Sequence, residues 1–272
     1  MKTAYVLSAS PTQFSAITYS ADLERSIARV AELGFDGVEL GVRDPGQVDV
    51  RSIECATGKC GLEVCAIGTG QAYVEEHLSF CDPDPDVRGR AVQRIVQHTD
   101  LASVFGARLI IGLIRGRTAE GVEKNQALAW VKEALLECAA AAEQKNVRIV
   151  IEPINRYETD LLNTVPEALD LIEQIGSASV ALLIDTFHMN IEETSIFDSI
   201  KRAGALIAHV HAVDSNRWAP GCGHLDFHKI VWTLEQVGYN GYLSAEVLPL
   251  PDCDTAAKTS IRNLRAVMSR TD

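Results

Sequence analysis

The strongest constraint on this chain is its alternation. Short apolar runs take turns with longer amphipathic stretches along the whole of its 272 residues. The runs fall at residues 3–8, 37–42, 62–67, 108–113, 147–152, 180–185, 206–211 and 242–246. They are rich in Val, Ile and Leu and are apolar on both faces, the pattern of parallel strands covered by helices rather than of a sheet with one wet side. The stretches between them carry apolar residues at helical spacing. In residues 21–33, Leu23, Ile27, Val30 and Ala31 share one face. Helices are predicted over 21–33, 50–60, 87–105, 122–144, 165–175, 196–203, 227–237 and 255–268, with a Gly- and Pro-bearing loop over 68–86.

Eight strand–helix units in strict alternation predict an α/β fold of one kind, the (β/α)8 TIM barrel, as a single domain over residues 1–272. Such a barrel takes about 250 residues, so the length fits one and no linker divides the chain. The competing doubly wound sheet carries a Gly-rich phosphate turn after its first strand. Ser8-Ala9-Ser10-Pro11 stands there instead. Two turns echo each other, Gly34-Phe35-Asp36-Gly37 and Gly238-Tyr239-Asn240-Gly241. Each leads into a strand that carries a glutamate, Glu39 and Glu246.

Composition narrows the partners. A formal net charge of -12 repels phosphate backbones, which argues against nucleic acid. No apolar run approaches the roughly 20 residues of a membrane helix, so no membrane association is expected. Seven cysteines, an odd number without zinc-knuckle spacing, read as free thiols. With no signal peptide at the start, they point to a reducing cytoplasm.

Barrel enzymes build their sites at the C-terminal ends of the strands. Here the last four runs end in Ile151-Glu152, Ile184-Asp185, Val210-His211 and Ala245-Glu246. Three converging carboxylates repel one another and would take up protons unless compensated. One divalent cation resolves the conflict. Three oxygen donors and one imidazole suit Mn²⁺ first, with Co²⁺ or Mg²⁺ as alternatives. Glu158, His188 and Arg217 follow in the adjoining loops, as hydrogen-bonding groups suited to a hydroxyl-rich substrate. His209 shares the inward parity of His211 one layer deeper and reads as a packed or supporting residue.

The stretch Asp185-Thr186-Phe187-His188-Met189-Asn190-Ile191-Glu192-Glu193 resembles the signature of the ketose 3-epimerases, the D-tagatose and D-psicose 3-epimerase group of the xylose-isomerase-like barrels. The resemblance covers the whole chain. It implies metal ligation by Glu152, Asp185, His211 and Glu246, and substrate contacts from Glu158, His188 and Arg217. Three further stretches, residues 66–73 (with Gln71), 111–117 (with Arg115 and Arg117) and 216–224, are similar to 5-keto-L-gluconate epimerases. That similarity implies D-tagaturonate as the other epimer and adds Gln71 and Arg115 to the substrate contacts. Arg115 and Arg117 follow the fourth strand, so at least one is expected at the pocket mouth, where a sugar carboxylate would form a charge-assisted pair.

The expected reaction is C3 epimerisation of a keto sugar or keto sugar acid through a cis-enediolate. Glu152 and Glu246 act as the paired acid and base on opposite faces. A neutral ketose 3-epimerase and an aldose–ketose or hydroxypyruvate isomerase use the same metal logic. The apurinic endonucleases of the superfamily need more histidines and a basic face, both of which this chain lacks. Relatives of this kind are commonly dimers or tetramers, which implies a homo-oligomer.

Overall fold

In a computed structural model, which describes residues 1–10, 16 and 22–269, the eight runs form eight parallel strands. They hydrogen-bond in chain order, and β1 pairs with β8 to close the barrel. The strands are β1 Lys2–Ser8, β2 Gly37–Gly41, β3 Glu63–Gly68, β4 Arg108–Ile111, β5 Ile149–Ile151, β6 Val180–Asp185, β7 Ile207–His211 and β8 Tyr242–Ala245. The helices are α1 Leu23–Leu33, α2 Val50–Cys60, α3 Gly70–Glu76, α4 Pro85–Phe105, α5 Lys124–Lys145, α6 Val165–Ile175, α7 Thr186–Glu192, α8 Ile196–Ala203, α9 Phe227–Gln236 and α10 Cys253–Met268. Pro11, in the turn after the first run, and Ala21, the expected start of the first helix, lie outside the described residues.

Two helices stand where none was expected. α3 occupies part of the predicted 68–86 loop, and α7 follows directly on β6. Each has 7 residues, too short for an amphipathic repeat to declare itself. α7 is started by Asp185, whose side chain caps Phe187 N at 2.7 Å. Strands β4, β5 and β8 stop short of the predicted ends. Glu152 and Glu246 therefore stand one residue beyond their strands. Main-chain pairing persists around Glu152, whose N–H donates to Ile111 O at 3.1 Å.

The helix ends follow local chemistry. Gly34 closes α1 at φ 92, a left-handed conformation that costs a residue with a Cβ but not glycine. Thr164 and Glu167 form a reciprocal capping box at the start of α6.

Strand parity divides the interior. Ala4, Ala66, Ile110, Val150, Ala181, Leu183 and Tyr242 fill the inside of the barrel. A larger shell of Val, Leu and Ile packs between strands and helices. Each such buried side chain contributes about 1.5–3 kcal/mol, and this shell holds the strand ends in place whatever charge they carry. The inward parity continues from Val150 to Glu152, from Leu183 to Asp185, and from Tyr242 to Glu246. A register shift between Leu182 and Leu183 resets β7, so that Leu183 faces His209 and Asp185 faces His211. A second shift falls in β2 between Val38 and Glu39. Such irregularities re-aim side chains next to functional sites.

Candidate active site

At the C-terminal mouth of the barrel lies a cleft. Val6, Ile110, Leu113 and Ile154 supply apolar wall, and Glu39, Gln71, Glu152, Glu158, His188, His211, Arg217 and Glu246 supply polar groups. One ligand atom from each of Glu152, Asp185, His211 and Glu246 lies within 4.8 Å of the others. His211 Nδ1 is 3.4 Å from Glu152 Oε1, 3.5 Å from Asp185 Oδ2 and 3.9 Å from Glu246 Oε2.

Two atoms in this cluster test whether a cation fits. Asp185 Oδ1 is used by the α7 cap, but its Oδ2 is buried without a hydrogen-bond partner, and so is His211 Nδ1. Buried polar atoms are normally paired. Two unpaired ones converging with two further carboxylates make a donor set of three oxygens and one imidazole nitrogen, which matches a divalent cation.

The electrostatics agree. Burial, reinforced by Glu152 and Asp185 and only partly offset by His211 and Arg217, pushes the Glu246 carboxyl up to about 8. Burial disfavours a charged His211, yet Glu39, Asp185 and Glu152 outweigh it and raise the imidazole well above its ordinary range. Burial also opposes the Asp185 carboxylate, but His188 and His211 hold its pKa below the ordinary value. Crowding of buried carboxylates around one imidazole favours proton uptake at Glu246 and His211, and a cation at the same place would compete with those protons.

The second ring is ordered by its own network. Asn155 Oδ1 accepts from Tyr157 N at 3.0 Å, which sets the amide orientation. Its Nδ2 then donates to His188 Nδ1 at 2.7 Å and to Glu158 Oε1 at 3.0 Å. His188 therefore carries its proton on Nε2. That nitrogen points at the cluster, 3.8 Å from Asp185 Oδ2 and 3.9 Å from Glu152 Oε1. Arg217 donates to Glu158 Oε1 at 3.0 Å and to Glu246 Oε2 at 3.3 Å, and sits over the Phe187 ring. Its backbone has φ 62, a conformation rare outside glycine. The surrounding loop is held by buried Asp214, whose carboxylate accepts from the N–H groups of Ser215, Gly221 and Leu225. Gln71 lines the cleft and donates to Ser8 Oγ at 2.8 Å.

Arg115 corrects the expectation. It does not face the pocket mouth; it is fully buried. Its guanidinium donates to Gly112 O and Glu152 O at 2.8 Å each, to Leu161 O at 3.0 Å and to Leu162 O at 3.3 Å. Burial pushes its pKa down to about 10. It ties the turn after β4 to the end of β5; main-chain carbonyls take four of its five N–H groups, and the side chain lies buried away from the cleft. The reason lies in the 3-10 turn at Leu113–Arg115, which curls the chain back under the rim. Arg117 is exposed and lines a different groove with Tyr73, Ser79 and Asp82.

Three contributors were not legible as such in the sequence. Glu39 was visible as a glutamate inside an apolar strand, but nothing local assigned it a partner. Asn155 looked like one polar loop residue among several. Gly112 matters because a Cβ there would come within 2.6 Å of Glu152 Oε2.

All seven cysteines carry free thiols. Among the described residues no helix is long and apolar enough to cross a membrane.

A closed barrel with this cluster at its mouth defines a class, and comparison with known proteins agrees. The profile of the "Xylose isomerase-like TIM barrel" family matches residues 27–267, and the chain belongs to that family. It is 33% identical over 258 residues to an L-ribulose 3-epimerase of Mesorhizobium japonicum, covering 93% of this chain and 86% of the relative. It is 34% identical over 242 residues to a D-psicose 3-epimerase of Ruminiclostridium cellulolyticum, covering 84% of this chain and 79% of that one. A solved structure of an L-ribulose 3-epimerase superposes with a TM-score of 0.84 at 27% identity, covering 100% of this chain and 99% of the other. These ketose 3-epimerase relatives place the chain among the carbohydrate epimerases, a class of isomerase.

Proposed function

We propose that this chain inverts C3 of a keto sugar or keto sugar acid, with a divalent cation held by Glu152, Asp185, His211 and Glu246. The observation that carries the reading is the convergence of these four donors, two of them glutamates from strands three apart around the barrel, at one cleft. When bound, the cation supplies Lewis-acid polarisation of the ketone beside C3. Mn²⁺ is the preferred ion, with Co²⁺ and Mg²⁺ as substitutes.

Glu152 and Glu246 do the proton work. One removes the C3 proton from one face, and the other returns a proton to the opposite face. His188 presents its Nε2–H to a substrate oxygen near the reacting carbons. Glu158 and Arg217 hold each other and orient substrate hydroxyls, and Gln71 contributes from the β3 side.

The pair we assign is 5-keto-L-gluconate and D-tagaturonate. Three stretches of sequence support it, and so does Arg217, a cation at the cleft wall. Arg115 contributes nothing to it. A second reading, a neutral ketose, is favoured by the pairing of Arg217 with Glu158 and Glu246, which leaves less charge for a carboxylate. We also assign a homo-oligomer, a dimer or tetramer, working in the cytoplasm.

A substrate panel of ketohexoses against ketohexuronates with added Mn²⁺, run in D₂O, tests this. Deuterium should enter at C3. Label confined to C1 would make the enzyme an aldose–ketose isomerase and sink the C3 scheme. Turnover of ketohexoses alone would select the neutral reading.

A further inference from the structure

Behind the four ligands, Glu39 sits in the middle of β2 with 2% of its surface exposed. It reaches across the barrel to two histidines of β7. His209 Nε2 lies 2.8 Å from Glu39 Oε2, and His211 Nε2 lies 3.1 Å from Oε1 and 3.2 Å from Oε2. The two rings stand edge to face, with centroids 5.5 Å apart.

A carboxylate accepts and does not donate, so both Nε2 atoms must carry the hydrogen. That choice fixes the other nitrogen of His211. In the neutral imidazole its Nδ1 is then the acceptor, and it is this atom that faces Glu152, Asp185 and Glu246. In the opposite tautomer an N–H would point into the cluster and repel a cation. An unpaired carboxylate at this depth would be costly, and two N–H donors offset that cost. The two histidines also hold Glu39 ionised, pulling its carboxyl well below the ordinary range against the effect of burial.

We infer that Glu39, steadied by His209, is a positioning residue that locks His211 into its Nδ1-ligating tautomer and thereby sets the affinity for the cation. This rests on the metal reading above. Carboxylates in this position behind a ligating imidazole orient the ring and raise its basicity, and their loss costs about 10–100-fold in metal affinity.

The same three residues could be taken for a second cation site, since their donor atoms are also close together. The hydrogen-bond geometry argues otherwise, because a cation there would have to displace both protons and leave His211 between two ions.

The test is Mn²⁺ binding alone, without substrate, by titration calorimetry on the wild type and Glu39→Gln. Glutamine keeps the shape, but its amide can accept only on its oxygen. The expected result is one Mn²⁺ per chain in the wild type and a dissociation constant about 10–100-fold weaker in the folded variant. An unchanged constant, or two ions per wild-type chain, overturns the inference. Should Glu39→Gln not fold, ¹⁵N-histidine NMR of the Mg²⁺-loaded wild type decides instead. Hydrogen on His211 Nε2 supports the inference, and hydrogen on Nδ1 overturns it. A wild type that binds no divalent cation at all is a separate result, and it removes the metal reading together with this one.

Discussion

The two halves of this barrel share one architecture and differ at the rim. Strands β5 to β8 lead into Glu152, Asp185, His211 and Glu246. Strands β1 to β4 lead into Ser8, Gly41, Gly68 and Gly112. One half concentrates charge and the other leaves room. Closing the barrel depends on the apolar shell that both halves have, so the rim residues were free to diverge. The room is not idle. Gly112 leaves a space that Glu152 occupies, whereas a Cβ at Gly68 would meet Gly41 Cα at 3.8 Å, an ordinary contact. Glu39 crosses this division, reaching from β2 in the open half to His211 of the charged half.

The sharpest way to break this comparison is on the charged side. Glu246→Gln or Glu152→Gln should lower turnover by about 10²–10⁴-fold while the barrel stays folded by circular dichroism. Full activity in either would end the two-glutamate scheme. Removing divalent cations with a chelator should abolish activity, and Mn²⁺ should restore it.

On the open side the two glycines should behave differently. Gly112→Ala should push the Glu152 carboxylate aside and cut kcat by about 100-fold, since a displacement near 1 Å has that effect. Gly68→Ala should stay within about 3-fold, there being no close contact to relieve. Equal losses in both variants would mean that the open half is more than space.

Arg115 links the halves through the main chain. Arg115→Met removes the guanidinium from four carbonyls, of which Gly112 O and Leu162 O keep a main-chain donor, and thermal or urea unfolding should show a loss of about 3–5 kcal/mol. The preference between sugar acids and neutral ketoses should not move. A changed preference would return Arg115 to the substrate.

The smallest effect concerns pH. In the metal-free protein Glu246 and His211 both hold protons above their ordinary ranges. Their stabilising contribution is complete below the unfolded-state values and is lost as pH rises, for Glu246 through about 8. Metal-free Tm should therefore fall between pH 5 and 8, by on the order of 5 °C. Mn²⁺ affinity should climb over the same range, because ligation displaces those protons. A metal-free Tm that rises with pH would contradict the buried, crowded environment described for Glu246.

Much of this was legible beforehand. The alternation of apolar runs carries the barrel, because a strand covered on both faces and a helix covered on one leave different periodicities. The four strand-end residues were legible because parity and strand polarity together specify where a side chain points. α3 and α7 were not, being only 7 residues each, too short for an amphipathic repeat to declare itself. Arg115 misled because spacing along the chain says that a residue follows a strand and not that the chain then curls inward.

By itself, then, the sequence determined the barrel, its polarity and the four residues at the ends of β5 to β8, since all of these depend on interactions local in the chain or on a repeated pattern. The tertiary structure alone decided which arginine meets the cleft, which nitrogen of His211 faces it, and that Glu39 stands behind it. Those outcomes depend on contacts between residues as far apart as positions 39 and 211, brought together only when β2 and β7 face each other across a closed barrel.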